Sequence, residues 1–338
     1  MSTLILTDDE QKVIQLTEEL LREFPPKTTD AVTFLGAQFD KGLAWVHFEV
    51  GCGGLGLNPK LQRQINEQVF AAGAPNPVGR NPIGHGMCGP TVAVWGTEEQ
   101  KKRYLRPLFT GEEIWCQLFS EPGSGSDFAG LSAKGVRDGD EWIANGQKVW
   151  TTLAHLSRWG LLIVRTDSEA VKHAGMTAFV VDMQAPGVEV RPLYQITGEA
   201  EFNEVYFTDV RIPAINLVGV EGNAFKQTMR QLEHERGGID RLVSNYALYV
   251  IARERADTSD PRVRQEIARL EMKYHIGRIL VIREVLRQAP AGFSAATKCF
   301  CTEHEWDVAQ FVMQTLGPEA TLWDQTSQGF AYAPGYTI

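Results

Sequence analysis

The chain has 338 residues, 43% of them hydrophobic and 22% charged, and a formal net charge of −9. This length exceeds one typical hydrophobic core, so two or three domains or layers are expected of an ordinary soluble globular protein. The acidic balance argues against nucleic acid, whose phosphates call for a basic face, and no apolar run reaches the roughly 18 residues of a membrane span.

The N-terminus, MSTLILTDDEQ, has neither a basic leader nor a long apolar stretch. Five cysteines, an odd number without framework spacing, suit a reducing compartment, so a cytoplasmic location is expected. From Thr7 onward the pattern is helical. Thr7-Asp8-Asp9-Glu10 and Thr97-Glu98-Glu99-Gln100 both have the form of a capping box opening a helix. Residues 1–111 therefore read as an N-terminal all-α domain. Within it Gly51-Cys52-Gly53-Gly54-Leu55-Gly56 matches G-x-G-x-x-G, with an apolar run from Leu43 to Phe48 before it. A dinucleotide site also needs a βαβ unit and an acidic residue about 20 positions on. The zone from Ala71 to Pro77 holds no acid and the surroundings are helical, so the segment reads as a glycine-rich turn between helices.

Over residues 112–222 the period shifts towards two, with turn signals at Asp138-Gly139, Asn145-Gly146 and Pro186-Gly187. Strands are expected at 159–165, 177–182 and 204–209, in a middle β domain. The stretch Ser120-Glu121-Pro122-Gly123-Ser124-Gly125-Ser126-Asp127 has the composition of a flexible linker. Its place, straight after the apolar run Ile114 to Phe119 and ahead of closely spaced hairpin signals, favours a structured turn.

Helical patterns return over residues 223–338, broken near Gly237-Gly238, between Thr258 and Pro261, and between Pro290 and Gly292. A C-terminal helical bundle is expected. Cys299, Cys301 and His304 cluster there, but their spacing fits none of the usual zinc patterns, so no metal is expected.

Three ordered segments, Trp115 to Gly130, Asn145 to Thr152 and Ala200 to Pro213, strongly resemble the acyl-CoA dehydrogenase family. The first contains its S-E-P-x-x-G-S-D flavin signature; the second reads NGQKVWTT. The resemblance implies an α+β multidomain fold: an N-terminal helical domain, a middle β-barrel-like domain and a C-terminal helical bundle. It also implies FAD as cofactor, an acyl-CoA substrate, an electron-transfer flavoprotein as electron acceptor and a homo- or hetero-tetramer. Backbone N–H groups of a Gly/Ser turn can converge on an anionic group. By resemblance Ser120, Gly125 and Ser126 contact the flavin and its pyrophosphate, with Ser126 also at the substrate. Gln117 lines the ring pocket, Trp150 packs on the ring, and Thr152 bonds near its N5. Gln314 and Gly317, in a Q-x-x-G-P turn, reach a partner's flavin.

Desaturating a thioester needs a base for the Cα proton, and a carboxylate in a dry pocket serves once its pKa rises towards roughly 6 to 7. Aligning Arg236 of Gln231-Leu232-Glu233-His234-Glu235-Arg236 with the family's helical arginine makes Glu235 the base. Glu233 then faces the CoA arm, and Arg236 lies beside the substrate. Two departures stand out. The chain stops at Tyr336-Thr337-Ile338, which resembles the lead-in to the family's C-terminal segment, so the last domain reads as shortened. The family's R-x-x-F-G is replaced by Asp257 to Gln265, where Arg262 or Arg264 is the available substitute. Alternatives are a non-catalytic subunit completing the flavin site of a heteromeric enzyme, and an oxidase on the same fold.

Overall fold

A computed structural model of the chain describes residues 6–196, 198–229, 242–286, 288–290 and 292–321. It divides into two compact units, residues 1–228 and 229–338.

The first unit begins with helices α1 (Asp8–Glu23), α2 (Ala31–Asp40), α3 (Leu61–Ala71), α4 (Pro77–Arg80), α5 (Gly89–Trp95) and α6 (Glu98–Thr110). Both expected capping boxes are formed: the Thr7 and Thr97 hydroxyls accept from the N–H groups of Glu10 and Gln100, whose side chains reach back to the cap N–H. Each satisfies two of the donors that a helix start leaves unpaired. The GCGGLG segment is a turn, as read. The N–H groups of Ala44 and Trp45 donate to Gly53 O at 3.0 and 2.9 Å, folding the apolar run 43–48 back on the glycines. A Cβ at Gly54 would lie 2.2 Å from Phe48 O, so only glycine fits there. The apolar run is irregular rather than a strand, and it buries Leu43, Ala44, Trp45 and Val46.

Among the described residues eight strands follow: β1 (Trp115–Leu118), β2 (Lys134–Asp138), β3 (Glu141–Lys148), β4 (Trp159–Arg165), β5 (Met176–Asp182), β6 (Val188–Leu193), β7 (Phe202–Pro213) and β8 (Leu217–Val218). They form one hydrogen-bonded path, β6-β7-β3-β2-β4-β5-β8, with β1 parallel to β4. β4 and β5 are buried on both faces, which is why they read as nearly unbroken apolar runs rather than alternating ones. Leu162, Val164, Phe179 and Val181 join Val205, Phe207 and Val210 of β7 in one core. Leu161, Ile163, Ala178 and Val180 join the helical core of Phe34, Leu35, Leu105 and Leu108. Sheet and helices of this unit thus share side chains. Tyr104 of α6 meets Trp115 and Trp159 edge-on at 5.3 and 5.2 Å, and the Gln100 amide donates to Ile215 O and Leu217 O at 2.7 and 2.9 Å.

The second unit contains α7 (Tyr246–Arg255), α8 (Pro261–Val285) and α9 (Phe293–Leu316). Asp260 caps α8, with Pro261 at its first position, where a missing N–H does no harm. Tyr249, Leu270, Tyr274, Val308, Phe311 and Val312 make the core. Cys301 and His304 are buried in it, His304 edge-on to Tyr274 at 4.2 Å, while Cys299 is exposed. No helix among the described residues is long and apolar enough to cross a membrane.

Candidate functional site

The three segments singled out in the sequence converge in the first unit. β1 ends at Leu118, and the chain turns through residues 120–127, closed by paired bonds between Glu121 and Ser124 (N to O 2.9 and 3.0 Å). The end of β3 is laid alongside by Val149 N–H donating to Ser120 O at 2.9 Å. The start of β7 then clasps the next residues. Thr151 and Asn203 exchange backbone bonds at 3.0 and 3.1 Å, and the Asn203 amide donates to Thr151 O at 3.0 Å.

A buried ion pair holds the first two segments together. Lys148, fully buried, donates from Nζ to Glu121 Oε1 at 2.9 Å and to Phe119 O at 3.0 Å. Glu121 also accepts from the Ser132 N–H (2.7 Å) and hydroxyl (2.8 Å) and from the Ala133 N–H (3.0 Å). Burial pushes the Glu121 carboxyl up, but Lys148 and these donors outweigh it and leave it below the usual range. Burial pulls Lys148 down to about 8 against the opposing pull of Glu121. Neither residue stands out in the sequence as a member of such a pair.

With the pair anchored inside, the turn presents backbone outward. Gly123, Gly125, Ser126 and Asp127 are exposed, and a Cβ at Gly123 or Gly125 would meet nothing within 4 Å. The N–H groups of Gly125, Ser126 and Asp127 meet no acceptor among the described residues. Exposed, unpaired N–H groups of this kind are free to donate to an anion, although neither Gly123 nor Gly125 adopts the positive φ of a closed nest. Trp150 stands close by in sequence at φ +58°, a left-handed conformation uncommon for a bulky residue, and is 63% exposed. Among the described aromatic rings Phe202 meets it, edge-on at 6.2 Å. Thr151 is buried with its hydroxyl unpartnered, Thr152 is half-buried, and Gln117 is half-buried on β1. Outward donors, an exposed flat ring and an orphaned hydroxyl fit a ligand carrying phosphate and a planar heterocycle.

In the second unit a cavity of about 760 Å³ is lined by Gln314 and Thr315. Gly317 caps α9 at φ +57°. The same cavity is lined by Arg255, Arg262 and Arg269 but also by Asp257, Asp260, Glu266 and Asp307. Asp260 holds Arg262 at 2.7 Å, and Glu266 and Asp307 hold Arg269 at 2.6 and 3.0 Å. Carboxylates outnumber guanidiniums in this lining, which gives a phosphate no electrostatic welcome. Arg264 donates to the carbonyls of Thr258 and Ser259 instead. Glu233, Glu235 and Arg236 lie outside the described residues.

Residues 11–112 match the acyl-CoA dehydrogenase N-terminal domain, 116–210 its middle domain and 222–338 its C-terminal domain. The acyl-CoA dehydrogenase FadE26 of Mycobacterium tuberculosis is 32% identical over 294 residues, covering 80% of this chain and 71% of that protein. The chain belongs to the acyl-CoA dehydrogenase family. A second member, the acyl-CoA dehydrogenase IpdE1 of Mycobacterium tuberculosis, is 41% identical over 225 residues, 64% of this chain. The match spans 57% of that protein, and 61% of its Mycolicibacterium smegmatis namesake. Among solved structures, the ChsE4-ChsE5 complex from Mycobacterium tuberculosis has a TM-score of 0.74 at 25% identity, covering 99% of this chain and 91% of that one. The Tcur3481-Tcur3483 steroid acyl-CoA dehydrogenase has a TM-score of 0.72 at 26% identity, covering 99% and 93%. Membership in the acyl-CoA dehydrogenase family implies a flavin, and the cradle of the first unit fits one.

Proposed function

We propose that the chain is an FAD-dependent acyl-CoA dehydrogenase that converts a saturated acyl-CoA to the trans-2-enoyl thioester, as in a turn of β-oxidation. The observation that carries this reading is the convergence of the Ser120–Asp127 turn, the Lys148–Thr152 strand end and the Phe202-Asn203 clasp around one cradle. FAD, when bound there, supplies the acceptor for the hydride that leaves Cβ. Ser120, Gly125 and Ser126 would hold its phosphates through backbone and hydroxyl donors, and Trp150 and Thr152 would hold its ring. Gln117 lines the same pocket. The Glu235 carboxylate takes the Cα proton, the electron pair of that C–H bond becomes the new C=C bond, and Glu233 and Arg236 flank the thioester. The reduced enzyme is reoxidised by an electron-transfer flavoprotein.

The test is anaerobic titration of the purified flavoprotein with a panel of acyl-CoA thioesters. Bleaching of the oxidised flavin by at least one of them is expected, together with loss of bleaching in Glu235→Gln and retained flavin. Protein that purifies without flavin, or that no thioester bleaches, overturns the reading.

A second reading rests on the acid-rich cavity that Gln314 lines. There the chain is a non-catalytic subunit that completes the flavin site of a heteromeric enzyme through its first-unit cradle rather than through this face. Activity that requires a co-purified second chain and survives Glu235→Gln favours it.

A further inference from the structure

Next to α2, α3 and the segment that follows α3, the first unit holds a cavity of about 230 Å³. Trp45, Val69, Ala74 and Phe109 are among its walls, and the exposed side chains of Phe70 and Val78 give it an apolar lip. Its amide side chains are largely committed. Gln62 accepts from Val46 N–H and donates to Leu43 O and Asn66, Gln38 donates to Leu43 O, and Asn76 caps α4. His85 is not. Its ring lies against Trp45 and Phe109 with centroids 5.1 and 5.7 Å away, and its imidazole meets no hydrogen-bond partner among the described residues.

An unbonded imidazole among aromatic walls selects its ligand. Burial pulls the His85 pKa down to about 4, so the ring is neutral near pH 7 and offers one donor and one acceptor. A carboxylate or phosphate would enter without a counter-charge, and a plain hydrocarbon would leave the imidazole unbonded. An apolar cavity of about 150 Å³ suffices for benzene, so this one takes somewhat more than a single ring. We propose that the cavity is a binding site for a neutral molecule of one or two fused rings bearing a ketone or hydroxyl group that bonds to His85. Its lining falls within residues 38–109 and shares nothing with the flavin cradle, so the proposal does not rest on the acyl-CoA reading.

Isothermal calorimetry of the purified chain with α-tetralone and its parent hydrocarbon tetralin tests this. α-Tetralone is expected to bind about tenfold more tightly than tetralin, the worth of one hydrogen bond. His85→Phe should abolish that difference while keeping tetralin binding, and Ala74→Phe, which fills the cavity, should weaken both ligands. The comparison of the two ligands on the unaltered chain needs no variant, and thermal melts check that each variant folds. No α-tetralone binding, or equal affinity for the two ligands, overturns the proposal. Competition with naphthoyl-CoA reads the source of the ring: displacement assigns it to a thioester, failure to displace assigns it to a free molecule, and either result presupposes the site.

Discussion

Lys148 and Glu121 are separated by 27 positions in the chain and by 2.9 Å in space. Replacing one partner leaves the other buried without a counter-charge, which costs about 3–5 kcal/mol, whereas replacing both by neutral groups of similar volume costs far less. Urea denaturation should therefore show Glu121→Gln much less stable than Glu121→Gln combined with Lys148→Met. The acid limb has a definite sign. The folded Glu121 carboxyl titrates below its unfolded value of 4.5, so its contribution is complete above that pH and is lost as pH falls through the folded value. The stability gap between the unaltered chain and Glu121→Gln should narrow on acidification below pH 4.5. These two residues also mark how far the sequence was legible. Ser120, Gly125, Ser126, Trp150 and Thr152 could be named from their motifs, and the fold joins those motifs through Val149 N–H and Ser120 O. What stayed hidden was the pair that fixes them, because a lone Glu and a lone Lys carry no sign of which partner the fold will bring. The left-handed backbone of Trp150 was equally invisible, since nothing local asks a tryptophan to adopt it.

Among the elements, the break between α4 and α5 shows the same division between local and distant causes. Asn81-Pro82 is a turn signal, and Pro82 removes a donor from what would otherwise be one long helix. The side chain of Asn81, fully buried, then does the work of several caps. It donates to Leu108 O (2.9 Å) and Glu113 O (3.2 Å) and accepts from the N–H groups of Gly84 (3.2 Å) and Trp115 (3.1 Å). One amide thus joins the broken helix, the end of α6 and the start of β1. Asn81→Ala should destabilise the first unit by about 2–4 kcal/mol, since several buried groups lose partners at once. Gly84→Ala should do comparable harm, because its Cβ would sit 2.2 Å from Asn81 Nδ2. Thermal or urea unfolding of both variants checks this. Helices with capping boxes and strands with unbroken apolar runs were readable because their causes lie within a few residues. Asn81 was not, because every group it satisfies lies on another element or depends on the turn being made.

At the scale of the whole molecule, α8 and its C-cap carry a row of exposed apolar side chains: Met272, Ile276, Ile279, Ile282 and, at the cap, Leu286. Their three- and four-residue spacing puts most of them on one side of the helix, and an apolar stripe of this kind on a soluble helix marks an association surface. If the chain assembles as a tetramer through this stripe, Ile276→Lys combined with Ile279→Lys should lower the mass measured by light scattering while circular dichroism stays helical. The expected order of helices, strands and helices was legible from the change of period along the chain. The way β4 and β5 serve two cores was not, since burial on both faces says only that something covers each face. That double use has a practical consequence for anyone recombining relatives of this chain. A chimaera joined near residue 111, where the composition changes, would pair one parent's helices with another parent's strands across a shared interior and force two foreign sets of side chains to interlock. A crossover near residue 228 leaves that interior to a single parent, and it is the junction at which exchanged halves should still express as folded protein.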